Sequence, residues 1–304
     1  MPRKVKLIMN PIANHGRSLH VANELRPLVS EFGQADWGGT VYPLHATELA
    51  RQAGEQGYDL VIALGGDGTV HEVINGLMQV PESKRPALGV VATGSGNDFA
   101  HYLNLPMEPV EALKRALNGA ARKIDMGSLI DEHGHREFFD NTIGIGFDAA
   151  VTIRTRKTRH IHGFMMYLWA VLQTIAVNFD PIPMTIQTDQ EAWSEPTLML
   201  GLGNGPREGG GFMITPQARM DDGLLHYVAM GKLSRLMMLR YLPEVMKGTH
   251  GRYKPFRMGT CKRMVVKAER PLVVHLDGEI FADHGTDIRE LTIEVLPAAL
   301  QVMC

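Results

Sequence analysis

The sequence predicts an α/β domain followed by an all-β domain: a Rossmann-like parallel α/β unit at the N-terminus, then an antiparallel β-sandwich. Three observations carry this. Strand-like and helix-like segments alternate from the N-terminus to about residue 126. The strands "YDLVIALGG" and "PALGVVATG" each end in glycine just before a helical pattern. Beyond "ARKIDMG" (121–127) the chain breaks into short β-rich runs separated by Gly, Pro and Asp. Repeated βα units imply a parallel sheet with ligands outside the carboxyl ends of its strands, whereas evenly spaced short strands imply a sandwich or barrel.

Taken in order, "KVKLIMNP" reads as a strand ending at Asn10-Pro11, with Ser18 as the N-cap of the next helix. A short strand from Trp37 to Tyr42 precedes the helix "ATELARQAGEQG", which stops at Gly57. After "YDLVIALGG", Val70, Val73, Ile74, Leu77 and Met78 recur at helical spacing and form one apolar face. In the second half, "PMTIQTD", "TLMLGLGN", "RMVVKAE", "PLVVHLDGE" and "LTIEVLP" read as strands, with helices expected only near 163–178 and 233–247. The expected domains are 1–126, completed by 289–304, and 127–288.

Composition excludes several classes. The chain has 304 residues, 44% hydrophobic and 21% charged, as in a globular protein with a sizeable core. A net charge of −2 gives no field favouring nucleic acid. Cys261 and Cys304 make neither a disulfide framework nor a metal-ligand spacing, which fits a reducing cytoplasm. The longest apolar run, "GFMMYLWAVLQTIAV" (163–177), falls short of the roughly 20 residues a bilayer span needs and reads as a core helix. Upstream of it, Arg154, Arg156, Lys157 and Arg159 form either a solvated face or a contact for anionic lipid.

The chemistry concentrates at two loops. "LGGDGTVHEVING" (64–76) places Gly65, Gly66, Gly68 and Thr69 at a strand-to-helix turn, where backbone N–H groups are unpaired and the helix dipole is positive. "ATGSGNDFAHYL" (92–103) repeats the pattern with Ser95 and with Asn97 or Asp98 as helix cap. No Walker Lys-Ser/Thr and no dinucleotide fingerprint accompanies them. Asp67 repels bare phosphate, so it either brings a bridging Mg²⁺ or caps the helix starting at Thr69. The 13 histidines show no paired ligand spacing; His15, His71 and His101 read as packing, capping or solvated residues.

"GGDGT" followed about 25 residues later by "GSGNDFA" resembles the catalytic domain of the diacylglycerol kinase and sphingosine kinase superfamily, most closely its bacterial YegS and DgkB type. "NP" at 10–11, "KIDMG", "NTIGIGFDA", "GNGPREGGGFMITPQARMDDGLL" and "LDGE" extend the resemblance over nearly the whole chain. NAD kinases share "GGDGT" and the fold but not "GNDFA" or "DGE". Ala92 and Ser95 depart from the Pro and Thr the family often has, the hydroxyl being kept. The resemblance implies an N-terminal nucleotide-binding domain and a C-terminal lipid-substrate domain. It implies ATP-dependent transfer of a phosphoryl group to the hydroxyl of a diacylglycerol-like or phosphatidylglycerol-like lipid, with Mg²⁺. By position, Asn10, Thr40, Gly65 to Thr69, Ser95 and Asn97 would contact ATP, and Asp67 would serve catalysis through metal. Arg219, Asp222 and Leu224 would form a structural Mg²⁺ site, though "MDDGLL" also reads as a plain Asp-Gly turn. Asp277 and Glu279 would be the catalytic carboxylates, Glu279 accepting the proton and Asp277 orienting or binding metal, with one of the two pKa values raised. A kinase of a soluble polyol or nucleotide, or a silent lipid-binding protein, are the alternatives. The expected location is cytoplasmic, peripheral to the inner face of the membrane; a homodimer and the identity of the lipid stay open.

Overall fold

The structure, a computed structural model, describes residues 3–31, 35–156, 163–177 and 180–304. The chain forms two compact units, Met1–Asp125 with Ala298–Cys304, and Met126–Pro297.

In the first unit, strand and helix alternate as β1 (Val5–Met9), α1 (Arg17–Glu31), β2 (Ala35–Gly39), α2 (His45–Glu55), β3 (Leu60–Gly65), α3 (Asp67–Met78), β4 (Ala87–Ala92), α4 (Asp98–Tyr102) and α5 (Pro109–Asn118). The strands run parallel in the order β4-β3-β1-β2. The chain's last strand adds its end beside β4, Val302 pairing with Leu88. Residues of one strand parity, Leu60, Ile62 and Leu64 with Val5 and Leu7, bury against Val21, Leu25 and Val29 of α1 and Leu113 and Ala116 of α5. The returning segment is held by polar contacts: Asp125 accepts the Ala298 N–H at 2.7 Å, and the Arg85 guanidinium donates to the Val80 and Ala299 carbonyls. Ser18 is not an N-cap. It lies inside α1, fully buried, with its hydroxyl 2.5 Å from that of Thr93.

The second unit follows from β5 (Ala121–Asp131), with β6 (Arg136–Phe139), β7 (Thr142–Gly146), α6 (Phe147–Thr155), α7 (Phe164–Val177), β8 (Ile182–Thr188), β9 (Ala192–Gly203), β10 (Leu225–Gly231), α8 (Arg235–Met246), β11 (Phe256–Cys261), β12 (Arg263–Ala268), β13 (Val274–Leu276), β14 (Glu279–Ala282) and β15 (Glu290–Met303). Pairing here is antiparallel, in the order β14-β13-β7-β9-β8-β12-β15, with β10 bridging β9 and β11. β10 is buried on both faces: Leu225, Tyr227 and Ala229 enter the sandwich core, while Val228 and Met230 pack under the helices. That explains why "TLMLGLG" and "LHYVAM" read as continuous apolar runs.

One helix escapes the sequence reading. Phe147–Thr155 is α6, started at Gly146 by a backbone turn of φ 84°. Its buried residues, Phe147 through Thr152, cover every face, so no amphipathic period marks it. Among the described residues no helix is long and apolar enough to cross a membrane.

Candidate functional site

In the first unit the two glycine loops lie against each other. The Thr93 N–H donates to the Gly65 carbonyl at 2.8 Å, and a Cβ placed on Gly94 would lie 2.6 Å from the Gly66 Cα. Any side chain there separates the loops. Asp67 is the first residue of α3, whose N-cap is Gly66, and its Oδ2 accepts the Asn97 N–H at 2.6 Å. Asp67 therefore ties loop to loop, and the N-cap position of α3 belongs to Gly66. Asn97 occupies the N-cap position of α4 with left-handed φ 54°, yet its side chain makes no capping bond. Its amide instead donates to the Gly94 carbonyl at 3.0 Å, while its Oδ1 is buried without a hydrogen-bond partner. Ser95 is exposed at the loop tip.

Beside these loops a groove brings together Asn10, Thr40 and Thr69 with Ile12, Val41, Tyr42 and Glu72. Asn10 Oδ1 accepts the Ile12 N–H at 3.2 Å, and the Thr40 N–H donates to the Met9 carbonyl at 2.9 Å. Glu72 was missed from sequence. Its two carboxylate oxygens accept the N–H groups of Leu44 at 3.0 Å and Ala46 at 3.1 Å, which fixes the 40–46 loop. A Glu on a helix face gives no sequence signal for such a role.

In the second unit, Asp277 and Gly278 form a two-residue hairpin turn between β13 and β14, with φ of 51° and 83°. Asp-Gly is the favoured pair for such a turn. The Asp277 carboxylate accepts three backbone N–H groups, those of Asp140 (3.0 Å), Asn141 (3.0 Å) and Thr142 (2.9 Å). These bonds anchor the turn, in addition to the orienting or metal-binding role that the resemblance implies. Glu279 opens β14 with its side chain 45% exposed, and its Oε2 accepts from Arg156 Nη2 at 2.5 Å. Arg156 is thus paired with a carboxylate, not a freely solvated cation; Lys157 and Arg159 lie outside the described residues.

Glu208, which sequence reasoning passed over, carries a raised pKa. It is pushed up to about 8, by burial first and then by the Asp148 charge. Around it, Tyr167 OH donates to Glu208 Oε1 at 2.6 Å and stands 3.1 Å from Asp148 Oδ1, Thr142 Oγ1 donates to Glu208 Oε2 at 3.0 Å, and His275 Nε2 lies 3.1 Å from Glu208 and 3.3 Å from Asp148. Asp148 and Tyr167 stand at one end of a cavity that is otherwise almost wholly apolar. It is lined by Val171 and Ile175 of α7, Met238, Tyr241 and Leu242 of α8, and Met199, Val228 and Met230 of the sheet.

At the third predicted position, the Asp222 Oδ1 accepts the Leu224 N–H at 3.0 Å and Oδ2 lies 3.1 Å from His226 Nε2, while Arg219 Nε donates to Asp221 at 3.1 Å. Both Asp222 oxygens are thus engaged, one within the turn and one by His226 of β10.

The α/β unit thus offers two apposed glycine loops and the sandwich unit an apolar cavity. Residues 4–129 match the diacylglycerol kinase catalytic domain, and residues 141–304 match the YegS C-terminal NAD kinase beta sandwich-like domain. A probable lipid kinase YegS-like protein of Chromohalobacter salexigens is 40% identical over 205 residues, 64% of each chain. A diacylglycerol kinase of Mycobacterium tuberculosis is 30% identical over 99% of this chain and 94% of its own. A solved Bacillus anthracis structure shares the fold with a TM-score of 0.80 at 24% identity, covering 99% of this chain and 96% of that one. The chain belongs to the diacylglycerol kinase family, in its YegS-type branch of lipid kinases. It is a phosphotransferase with an alcohol as acceptor.

Proposed function

We propose that the chain transfers the γ-phosphoryl group of ATP to the hydroxyl of a diacylglycerol-like or phosphatidylglycerol-like lipid, using Mg²⁺, at a membrane surface. The observation that carries this reading is the apolar cavity of the second unit, whose wall of methionines and aliphatic residues suits an acyl chain and not a sugar or nucleotide. In the first unit the backbone donors of Gly65–Thr69 and the Ser95 hydroxyl receive the phosphates, and the groove from Asn10 to Thr69 receives the nucleoside. Bound Mg²⁺ would supply charge neutralisation at the phosphates. Asp67 supplies a carboxylate for that ion, and Asp222 with the Arg219 and Leu224 carbonyls would hold a second, structural one.

In the reaction the lipid oxygen forms a bond to the γ-phosphorus, the bond to the β–γ bridging oxygen breaks, and ADP leaves. The hydroxyl proton passes to Glu279, the half-exposed carboxylate next to the Asp277 anchor. Asp277 keeps the turn in place and takes no proton.

The helices around the cavity support a membrane contact. α7 exposes Met165, Trp169 and Leu172 at helical spacing, and α8 exposes Leu236 and Leu239 flanked by Arg235 and Arg240. An apolar stripe with basic flanks suits the interface of an anionic bilayer. Incubating the protein with a lipid extract and labelled ATP, then identifying the product by mass spectrometry, tests the proposal. Phosphorylation only of water-soluble alcohols would overturn it.

A further inference from the structure

His275 lies two residues before Asp277 and is fully buried, so its ring cannot reorient without opening the core. Both ring nitrogens are engaged. Nδ1 accepts the Gly278 N–H at 3.3 Å, and Nε2 faces Glu208 at 3.1 Å and Asp148 at 3.3 Å. Asp148, Glu208 and His275 stand close enough to suggest a divalent-metal site, their candidate ligand atoms all within 4.8 Å of one another. The ring's other side argues against one. A metal on Nε2 requires the proton on Nδ1, and that proton would meet the Gly278 N–H head-on.

The same contact decides the ring's own charge. Burial opposes charging the ring while Glu208 and Asp148 favour it, and the balance pushes its pKa up to about 9. A charged ring, however, sets the buried Nδ1–H against the half-buried Gly278 N–H, leaving the ring donor facing another donor, which is costly. The hydrogen-bond geometry is the more specific constraint, and it assigns a neutral ring with Nε2–H toward the carboxylates. The charged and titratable groups facing this ring are Asp148 from α6, Tyr167 from α7, Glu208 from the 203–212 loop and Asp277 from its own turn.

We propose that His275 is a positioning residue for the Asp277–Glu279 turn: Nδ1 holds the Gly278 amide, while Nε2–H is held by the Asp148–Glu208 pair at the polar end of the cavity. Gly278 has φ 83° and no side chain, so nothing of its own fixes the peptide that leads into Glu279. Asp277 fixes the front of the turn against residues 140–142, and His275 fixes its back. Because Tyr167 and Asp148 line the cavity, one hydrogen-bonded chain runs from the acyl site through Glu208 and His275 to the residue before Glu279. This inference rests on the reading of Glu279 as proton acceptor.

Two measurements test it. In the unmodified protein, the ¹⁵N shifts of His275 at neutral pH should show the Nε2–H tautomer; a doubly protonated ring, or an Nδ1–H tautomer, overturns the proposal. Paired variants then separate the two contacts. Asn keeps an acceptor near the Nδ1 position, whereas Gln places its polar end near Nε2. His275→Gln should therefore expose the Gly278 amide to exchange and lower kcat about tenfold or more, with lipid KM little changed. His275→Asn should keep that amide protected and recover most of the lost kcat. Equal loss in both variants, or Gly278 exchange that neither alters, makes His275 a packing residue only. A Glu279→Gln control with native kcat would instead end the base reading, while the amide exchange would still report whether His275 holds the turn.

Discussion

At the residue scale, the tightest demands fall on three carboxylates that do different work. Asp67→Asn retains the size of the side chain and an acceptor for the Asn97 N–H but loses the charge. It should remove most kinase activity at saturating lipid while the thermal midpoint stays near native, because metal-assisted charge stabilisation is worth several kcal/mol in the transition state. Near-native turnover by a folded Asp67→Asn protein would show that Asp67 is only a loop tie. Glu279→Gln should lower kcat by about 10²–10⁴ with ATP affinity little changed, and steady-state kinetics across pH check this. Asp277→Asn puts an amide nitrogen where a carboxylate oxygen now accepts backbone N–H groups. It should destabilise the protein by about 1–3 kcal/mol in denaturant titration and leave the Mg²⁺ dependence of the residual activity unchanged. Of these roles, Asp67 was legible as a candidate because glycines mark its loop, and Glu279 only through the resemblance of "LDGE" to the family's motif, since turn chemistry alone reads as a plain β-turn. The anchoring by Asp277 was not, since its partners, residues 140–142, are remote in sequence. Glu72, Glu208 and His275 were invisible for the same reason: each acts through contacts between distant segments.

At the scale of elements, local pattern carried far where burial is one-sided and failed where it is not. The alternation of β1 to α3 was readable because each strand ends in a turn signal and α3 shows an apolar period. α6 was not readable, being enclosed on every face, and Ser18 was misplaced because its hydroxyl serves Thr93 across the sheet. α7 looked like a core helix in sequence, since Trp169 and Leu172 carry no mark of exposure, yet it and α8 share an exposed apolar stripe. That stripe gives an element-scale prediction. Trp169→Glu with Leu236→Glu should weaken binding to anionic vesicles by about tenfold or more in a sedimentation assay, as each removes apolar contact and adds repulsion. Activity on a short-chain lipid dispersed in detergent should change little. Vesicle binding that ignores both substitutions would move the membrane contact elsewhere on the molecule.

At the scale of the whole molecule, the buried cluster of Asp148, Glu208 and His275 couples stability to pH. Glu208 holds its proton up to about pH 8 in the folded protein because burial and Asp148 disfavour its charge, against an ordinary value of 4.5. The unfolded chain therefore releases this proton at lower pH than the native one. Stability from this group is fully present below the unfolded pKa and declines as pH rises through the folded one, at up to about 1.4 kcal/mol per pH unit for a single proton. The expected outcome is a thermal midpoint that falls as pH rises from 6 toward 8 and then levels. Glu208→Gln cannot ionise; its carbonyl can accept from Tyr167 while its amide donates to a Thr142 hydroxyl turned round to accept. It should flatten that decline without lowering the midpoint at pH 6, which calorimetry over a pH series would read directly. A Glu208→Gln protein that keeps the native slope would place the titrating proton on another group, leaving Glu208 ionised in the folded state. The same substitution at pH 8 should raise the midpoint above native, since it removes the only form of the side chain that the buried site disfavours.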